Sequence, residues 1–359
     1  MKKIILFLLS SCCEMTFAAS IPAGGVITAG GTYSGSFNGE IKISTTSPVT
    51  LTDVSDSYTS TPIVTCIANA QVEITQSIFL YQGSIPSGGW TAPSEAIIYL
   101  PSPASAYIGN NDVDGGSGVG APGVVIEGPT TGELDITANA INNCWVAVQI
   151  GSVKNNPSVY ITWNQCTGDA LTERDDQISI YQSTGVTPSN YIYVYSDFVE
   201  HDPDALQKVF ACQIVVDKGS ENVNIDSCYG INGGEGGMVI AYTGANSIMQ
   251  NCEVLGMSYA VTYNDGDAGF MINESSAGSC SDCTSGFWNT YARVRADYNL
   301  LGQGSGNTQL IKADITLQAE ENLFYTTFLG AASDAGVAIG KSNQGFSGPT
   351  FPNPNDFDF

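Results

Sequence analysis

A four-residue pattern, apolar then polar then a hydrogen-bonding side chain then cysteine, recurs along this chain and restricts its fold more than any other feature. Its copies are Ile141-Asn142-Asn143-Cys144, Trp163-Asn164-Gln165-Cys166, Ile225-Asp226-Ser227-Cys228, Met249-Gln250-Asn251-Cys252 and Cys280-Ser281-Asp282-Cys283. The closing cysteines stand 22, 62, 24 and 31 residues apart. The long interval divides at Val194-Tyr195-Ser196-Asp197, 31 residues from each neighbour, with aspartate in the cysteine place. Val72-Glu73-Ile74-Thr75-Gln76-Ser77 carries serine there. A short unit repeated at this interval cannot bury its apolar side alone, whereas stacked copies can.

The runs beside these motifs alternate with a period of two, as in Leu134-Asp135-Ile136, Val159-Tyr160-Ile161, Tyr191-Ile192-Tyr193-Val194 and Val223-Asn224-Ile225. That texture predicts strands, and the mature chain shows no convincing helical stripe; the short segment from Asp204 to Cys212 comes nearest. The expected class is all-β, a single elongated domain of stacked parallel coils. Residues 1–18 read as a signal peptide, 19–70 as an N-terminal cap with the first coils, 71–330 as the stack and 331–359 as an irregular tail. Residues 83–130, rich in Gly, Pro and Ser, read as an excursion from the coil, and Leu310-Ile311-Lys312-Ala313-Asp314 as a last rung. Parallel strands lie about 4.8 Å apart, so matching corners stack. Asn or Ser at a corner can then bond to the corners above and below, and a buried cysteine acts as a compact apolar side chain.

These features resemble the right-handed parallel β-helix proteins of the pectin-lyase-like superfamily, whose coils carry Val-x-Ile-x-Asn-Cys with stacked asparagines. The resemblance covers roughly residues 70–330. It implies a single-stranded right-handed solenoid and leaves activity open, since lyases, glycoside hydrolases, epimerases, tailspikes and adhesins share that fold. The polygalacturonase-like motifs are missing. Gly236-Gly237-Met238 lacks the histidine of Gly-His-Gly, and Asp175-Asp176 lies in a charged loop. Arg293-Val294-Arg295 lacks the motif that flanks the basic strand of lyases.

Lys2 and Lys3, the apolar run Ile4 to Leu9 and the small residues at 16–19 form an export signal, placing the protein outside the cytoplasm, secreted or at the cell surface. Leu9-Ser10-Ser11-Cys12 also reads as a lipoprotein cleavage box, with Cys12 as the anchored residue. No later stretch is apolar for long enough to span a bilayer as a helix. A net charge of −24 argues against nucleic acid and other polyanions as partners. Of the 10 cysteines, Cys144, Cys166, Cys228 and Cys252 are expected as buried thiols, because stacking at the strand spacing leaves Cβ atoms too far apart for an unstrained disulfide.

Three groups of residues could carry chemistry. Asp169, Asp175, Asp176, Glu200, His201 and Asp202 belong to an acidic stretch that would lie on adjacent coils. Paired carboxylates of unequal pKa serve acid/base glycoside cleavage, and the same stretch could bind calcium or be a solvated corner. Asn110, Asp112 and Asp114 occupy the first, third and fifth places of a calcium-loop pattern, Asn110-Asn111-Asp112-Val113-Asp114-Gly115, which lacks its closing glutamate because Pro122 stands there. A Gly/Asp turn without metal fits equally well. Trp90, in the Gly/Pro-rich stretch, is the candidate sugar-stacking residue, and Trp163 reads as buried. The expected function is an exported β-helix protein that binds polysaccharide or a cell-surface glycan, or serves as an adhesive surface element. The alternative is a polysaccharide hydrolase or lyase using the clustered carboxylates.

Overall fold

The computed structural model describes residues 18–84, 92–118, 120–130, 132–156, 158–168, 176–186, 190–200, 212–217, 219–231, 236–240, 247–250, 253–255, 268–272, 290–292, 295–297 and 325–326. Of the strands beyond residue 231, only the backbone is described. Among the described residues the protein is all-β, with one short 3-10 turn at Pro93–Glu95, and every strand pairing is parallel. Two sheets contain the strands, one of twenty and one of ten. The larger consists of two stacks joined at the ten-residue strand Val49–Tyr58, whose first half pairs with Gln71–Thr75 and whose second half pairs with Ile78–Tyr81. The chain visits the three stacks in a constant order. Leu134–Thr137, Ala140–Asn142 and Val148–Gly151 form one circuit, and Val159–Thr162, Gln165–Thr167 and Ile178–Tyr181 pair with them as the next. This arrangement is compatible with a parallel β-helix.

Period-2 alternation places one side chain in two inside. In the first stack Leu51, Ile74, Ile108, Ile136, Ile161, Val194 and Ile225 form one buried column in register. In the ten-stranded sheet Val64, Ile98, Val124, Val148, Ile178 and Ile214 do the same. Side chains from all three stacks meet in one apolar core.

The corner between the first and second stacks is built from a left-handed residue followed by a buried polar one. Gln76, Asn110, Ala138, Trp163, Ser196 and Ser227 have φ between 51° and 61°. Behind them stand Ser77, Asn111, Asn139, Asn164, Asp197 and Cys228. The side-chain oxygen of each of Asn111, Asn139, Asn164 and Asp197 accepts from the backbone N–H of the preceding rung, at 3.0, 3.0, 3.2 and 2.7 Å. Asn111, Asn139 and Asn164 also pass an amide N–H to the next rung's oxygen at 3.0, 2.9 and 2.9 Å. Each of the three asparagines donates Nδ2 at 2.9 Å to a carbonyl of the rung before: Ile74, Ile108 and Ile136 in turn. The ladder thus satisfies polar groups that the corner buries, which is what permits an asparagine inside.

The register departs from the cysteine-based reading in two copies. Cys228 sits in the ladder, because Tyr229 pairs with Phe198 and so places Cys228 over Asp197. Cys166 lies two residues past the ladder, between Ile141 and Val199 in an apolar column of the second stack, and Cys144 follows that stack at the next corner. Cys66, Cys144, Cys166 and Cys228 are all buried thiols. Burial pushes the Cys66 thiol up to about 12. Trp163 is 44 % exposed, contrary to the expected burial. Asn164, not Trp163, takes the inward place, so the left-handed residue before it points away.

Residues 83–130 are not an excursion throughout. Ile98–Pro101, Ser105–Gly109, Asp112–Asp114 and Val124–Glu127 are regular members of the stacks. Their Gly, Pro and Ser residues lie mostly at strand ends and corners, where composition resembles a loop although the intervening residues pair.

Candidate functional site

The outward face of the first stack carries the remaining half of the alternation, and its rows run straight up the stack. One row reads Thr50, Glu73, Tyr107, Asp135, Tyr160, Tyr193. A neighbouring row reads Thr52, Thr75, Gly109, Thr137, Thr162. Glycine in this threonine row leaves a gap. The phenol end of Tyr107 leans into it, and a Cβ built on Gly109 would fall 2.7 Å from the Tyr107 hydroxyl and ring. Thr75 and Thr137 stand on either side of the gap in register.

Beside Tyr107 the surface is concave. A groove of about 440 Å³ spans the four rungs from Thr50 to Asp135, with Glu73, Ser105, Tyr107, Glu133 and Asp135 in its walls and floor. Thr50 donates its hydroxyl to Glu73 at 2.8 Å. Burial raises the Asp135 pKa, and the charge of Glu133 adds to the shift. One Asp135 oxygen is buried with no hydrogen-bond partner. The Tyr107 phenol is likewise held above its ordinary value by burial and by the charges of Asp135 and Glu73. The arrangement offers an aromatic ring, several acceptors and a negative potential, with no lysine or arginine among the lining residues.

Past Asp135 the row becomes aromatic. Tyr160 and Tyr193 stack with ring centres 5.7 Å apart and planes 10° apart, and Tyr191 meets Tyr193 edge-on at 6.0 Å. At the adjoining corner the exposed Trp163 contacts the exposed Tyr195, also edge-on, at 5.9 Å.

The residues singled out in the sequence do not assemble here. Trp90, Asp169, Asp175, His201 and Asp202 lie outside the described residues, as do Cys252, Cys280 and Cys283. Asp176 is half-buried just before the strand Ile178–Tyr181, and Glu200 ends the strand Phe198–Glu200, paired with Ile231. Asp197, from the same acidic stretch, is a core residue and not a surface one. Burial pushes its pKa up to about 7 against the two hydrogen bonds it accepts from Asn164.

Asn110 is a left-handed corner residue, and Asp112 and Asp114 lie on one strand. An Asp112 oxygen accepts from Asn142 at 3.3 Å, and an Asp114 oxygen accepts from Gly116 N–H at 2.8 Å and from Asn143 at 3.3 Å. No group of three His, Cys, Asp or Glu arranged to hold a metal occurs among the described residues. Nor does any helix there have the length and apolarity to cross a membrane.

Glu73, Tyr107, Glu133 and Asp135 were missed as site residues because each rung shows only one of them, or two, on its outward face. The available signal was the single glycine in a threonine row, which needs the register to be seen. A scan against protein-family models, a search of curated proteins and a search of solved structures each return no match to this chain.

Proposed function

We propose that the chain is an exported right-handed parallel β-helix of the pectin-lyase-like kind that binds carbohydrate on the outward face of its first stack, as a surface or adhesive element. The observation that carries the reading is the groove lined by Tyr107, Glu73, Glu133 and Asp135, with the Tyr107 ring held over the neighbouring Gly109. Sugar rings present apolar C–H faces and a rim of hydroxyl donors, and a site with one aromatic and several fixed acceptors answers both. The row of tyrosines beyond Asp135 and the exposed Trp163–Tyr195 pair extend the aromatic surface along the same face.

A second reading, glycan cleavage, is favoured by one observation. Asp135 has a raised pKa while Glu73, two rungs away, accepts a hydrogen bond from Thr50, so the two carboxyl groups sit in unlike surroundings. Unlike carboxyls facing one bond are what acid/base hydrolysis uses. The purified protein screened against a glycan panel, with binding and reducing-end release both read, separates the two. Binding that is lost in Tyr107→Ala and Gly109→Thr, with no release, supports the binding protein. Release that disappears in Asp135→Asn makes it an enzyme, and absence of both refutes the carbohydrate reading. A melting temperature that rises with calcium and falls with EDTA would add an ion at Asn110, Asp112 and Asp114 to the proposal.

A further inference from the structure

We infer that the groove takes a linear polysaccharide bearing free amino groups, laid across the strands with about one sugar ring per rung between Thr50 and Asp135. This rests on the carbohydrate reading and names the class of glycan. Three features of the groove point to it.

The first is charge. Glu73, Glu133 and Asp135 line the groove with no basic side chain among the lining residues, and the whole chain carries −24. Uronate or sulfated glycans would meet like charge at close range, a repulsion that selects against wrong partners more strongly than it tunes the right one. A neutral glycan would leave the charges of Glu133 and Asp135 opposed to one another. An ammonium group between them offsets that opposition directly and can also lie against the Tyr107 ring.

The second is dispersion of the acids. Glu73 and Asp135 stand two rungs apart in one row with Tyr107 between them, and no group of three His, Cys, Asp or Glu arranged to hold a metal occurs among the described residues. A single cation cannot reach both Glu73 and Asp135, whereas a polymer carrying amines along its length can.

The third is repeat. Strands of a parallel stack recur every ~4.8 Å, so the row from Thr50 to Asp135 covers roughly 14 Å in equal steps. An extended β-1,4-linked glycan advances by a similar step per ring with successive rings turned over, so the amines that face the groove recur every second ring and match Glu73 and Asp135, while the rings between meet Thr50 and Tyr107. A ligand lying along the strands would instead meet alternating inward and outward residues and lose every second contact.

The test uses the purified chain and four probes at near-neutral pH: the glucosamine tetramer, its fully N-acetylated form, a galacturonate tetramer and tetralysine. Calorimetry is expected to give the amine tetramer at least about a tenfold lower Kd than its acetylated form, and no binding of galacturonate. The preference should shrink as salt is raised and fall to parity in Asp135→Asn and Glu73→Gln, whose folding is checked by circular dichroism. Equal binding of the acetylated and free-amine tetramers, lost in Gly109→Thr, would overturn this inference and leave the carbohydrate reading intact. Tetralysine binding without any sugar binding would make the occupant a basic peptide and refute both. Silence from all four probes, with no other glycan bound, would likewise remove both.

Discussion

Replacing Asp197 with asparagine should stabilise the protein, and the gain should depend on pH in a calculable way. Asp197 is completely buried, and one of its oxygens accepts from the Asn164 N–H at 2.7 Å and from its amide at 2.9 Å. The other oxygen is buried without a partner. Asparagines at this corner donate to the carbonyls of Ile74, Ile108 and Ile136, and in the following rung the Cys228 thiol donates to Val194 at 3.5 Å. By that series the carbonyl facing Asp197 belongs to Ile161. A carboxylate there sets two acceptors against each other, while a protonated carboxyl donates as an asparagine does. Burial accordingly holds the carboxyl up to about 7 from an ordinary 3.8.

Between those values the folded chain keeps a proton that the unfolded chain has lost, so stability falls as pH rises through the interval and levels off above it. The Asn variant titrates nowhere in this range. Its advantage should be near zero below pH 4, grow by about 1.4 kcal/mol per pH unit and reach a ceiling of about 4 kcal/mol above pH 7. It is a ceiling because the next ladder place holds Cys228 where earlier rungs offer an oxygen to the second amide hydrogen, and sulfur is a weak acceptor. Thermal melts of both proteins followed by circular dichroism at acid, intermediate and alkaline pH would measure it, with an expected separation on the order of 10 °C at the alkaline end. A difference that is flat with pH, or an aspartate form more stable in alkali, would refute the argument.

Asp56, Asp112 and Asp135 are shifted in the same direction by burial, with Asp56 reaching about 6, so the melting temperature of the whole protein should decline as pH rises from about 4 to 7. Neutralising part of the −24 charge acts in the same sense, and a melting temperature rising over that range would contradict it. Asn139→Ala strips an acceptor from Asn111 and a donor from Ile108 and Asn164, all buried; urea titration should show a loss of roughly 3 kcal/mol. Ala138 holds φ 53° at the same corner, a conformation costing about 1 kcal/mol for a side chain, so Ala138→Gly should be neutral or slightly stabilising, and a clear loss would show that its methyl packs.

Three motif copies show their true register in the residues alone. Ile74 to Ser77, Val194 to Asp197 and Ile225 to Cys228 each end on the ladder position. In Trp163-Asn164-Gln165-Cys166 the cysteine lies two residues past the ladder position. After the corner the chain alternates again, so Asn164 and Cys166 both point inward and give the same polar/apolar texture. Only the bond from the Asn164 N–H to Asp197 shows which of them turns the corner. The groove was illegible for a related reason. Glu73 and Asp135 are ordinary outward residues of their strands, 62 positions apart, and nothing local connects them to the gap at Gly109.

Alternation and repeat length by themselves determined that the chain forms short strands with one apolar side, and that copies must stack in parallel to bury it. Those are local properties, decided by the period of two and by the spacing between runs. Which residues share a row, which polar groups are sealed inside the corner and where the outer face becomes concave depended on the register between rungs. Register is set by hydrogen bonds between residues two to three dozen positions apart, and a one-residue slip would have turned every inward side chain outward.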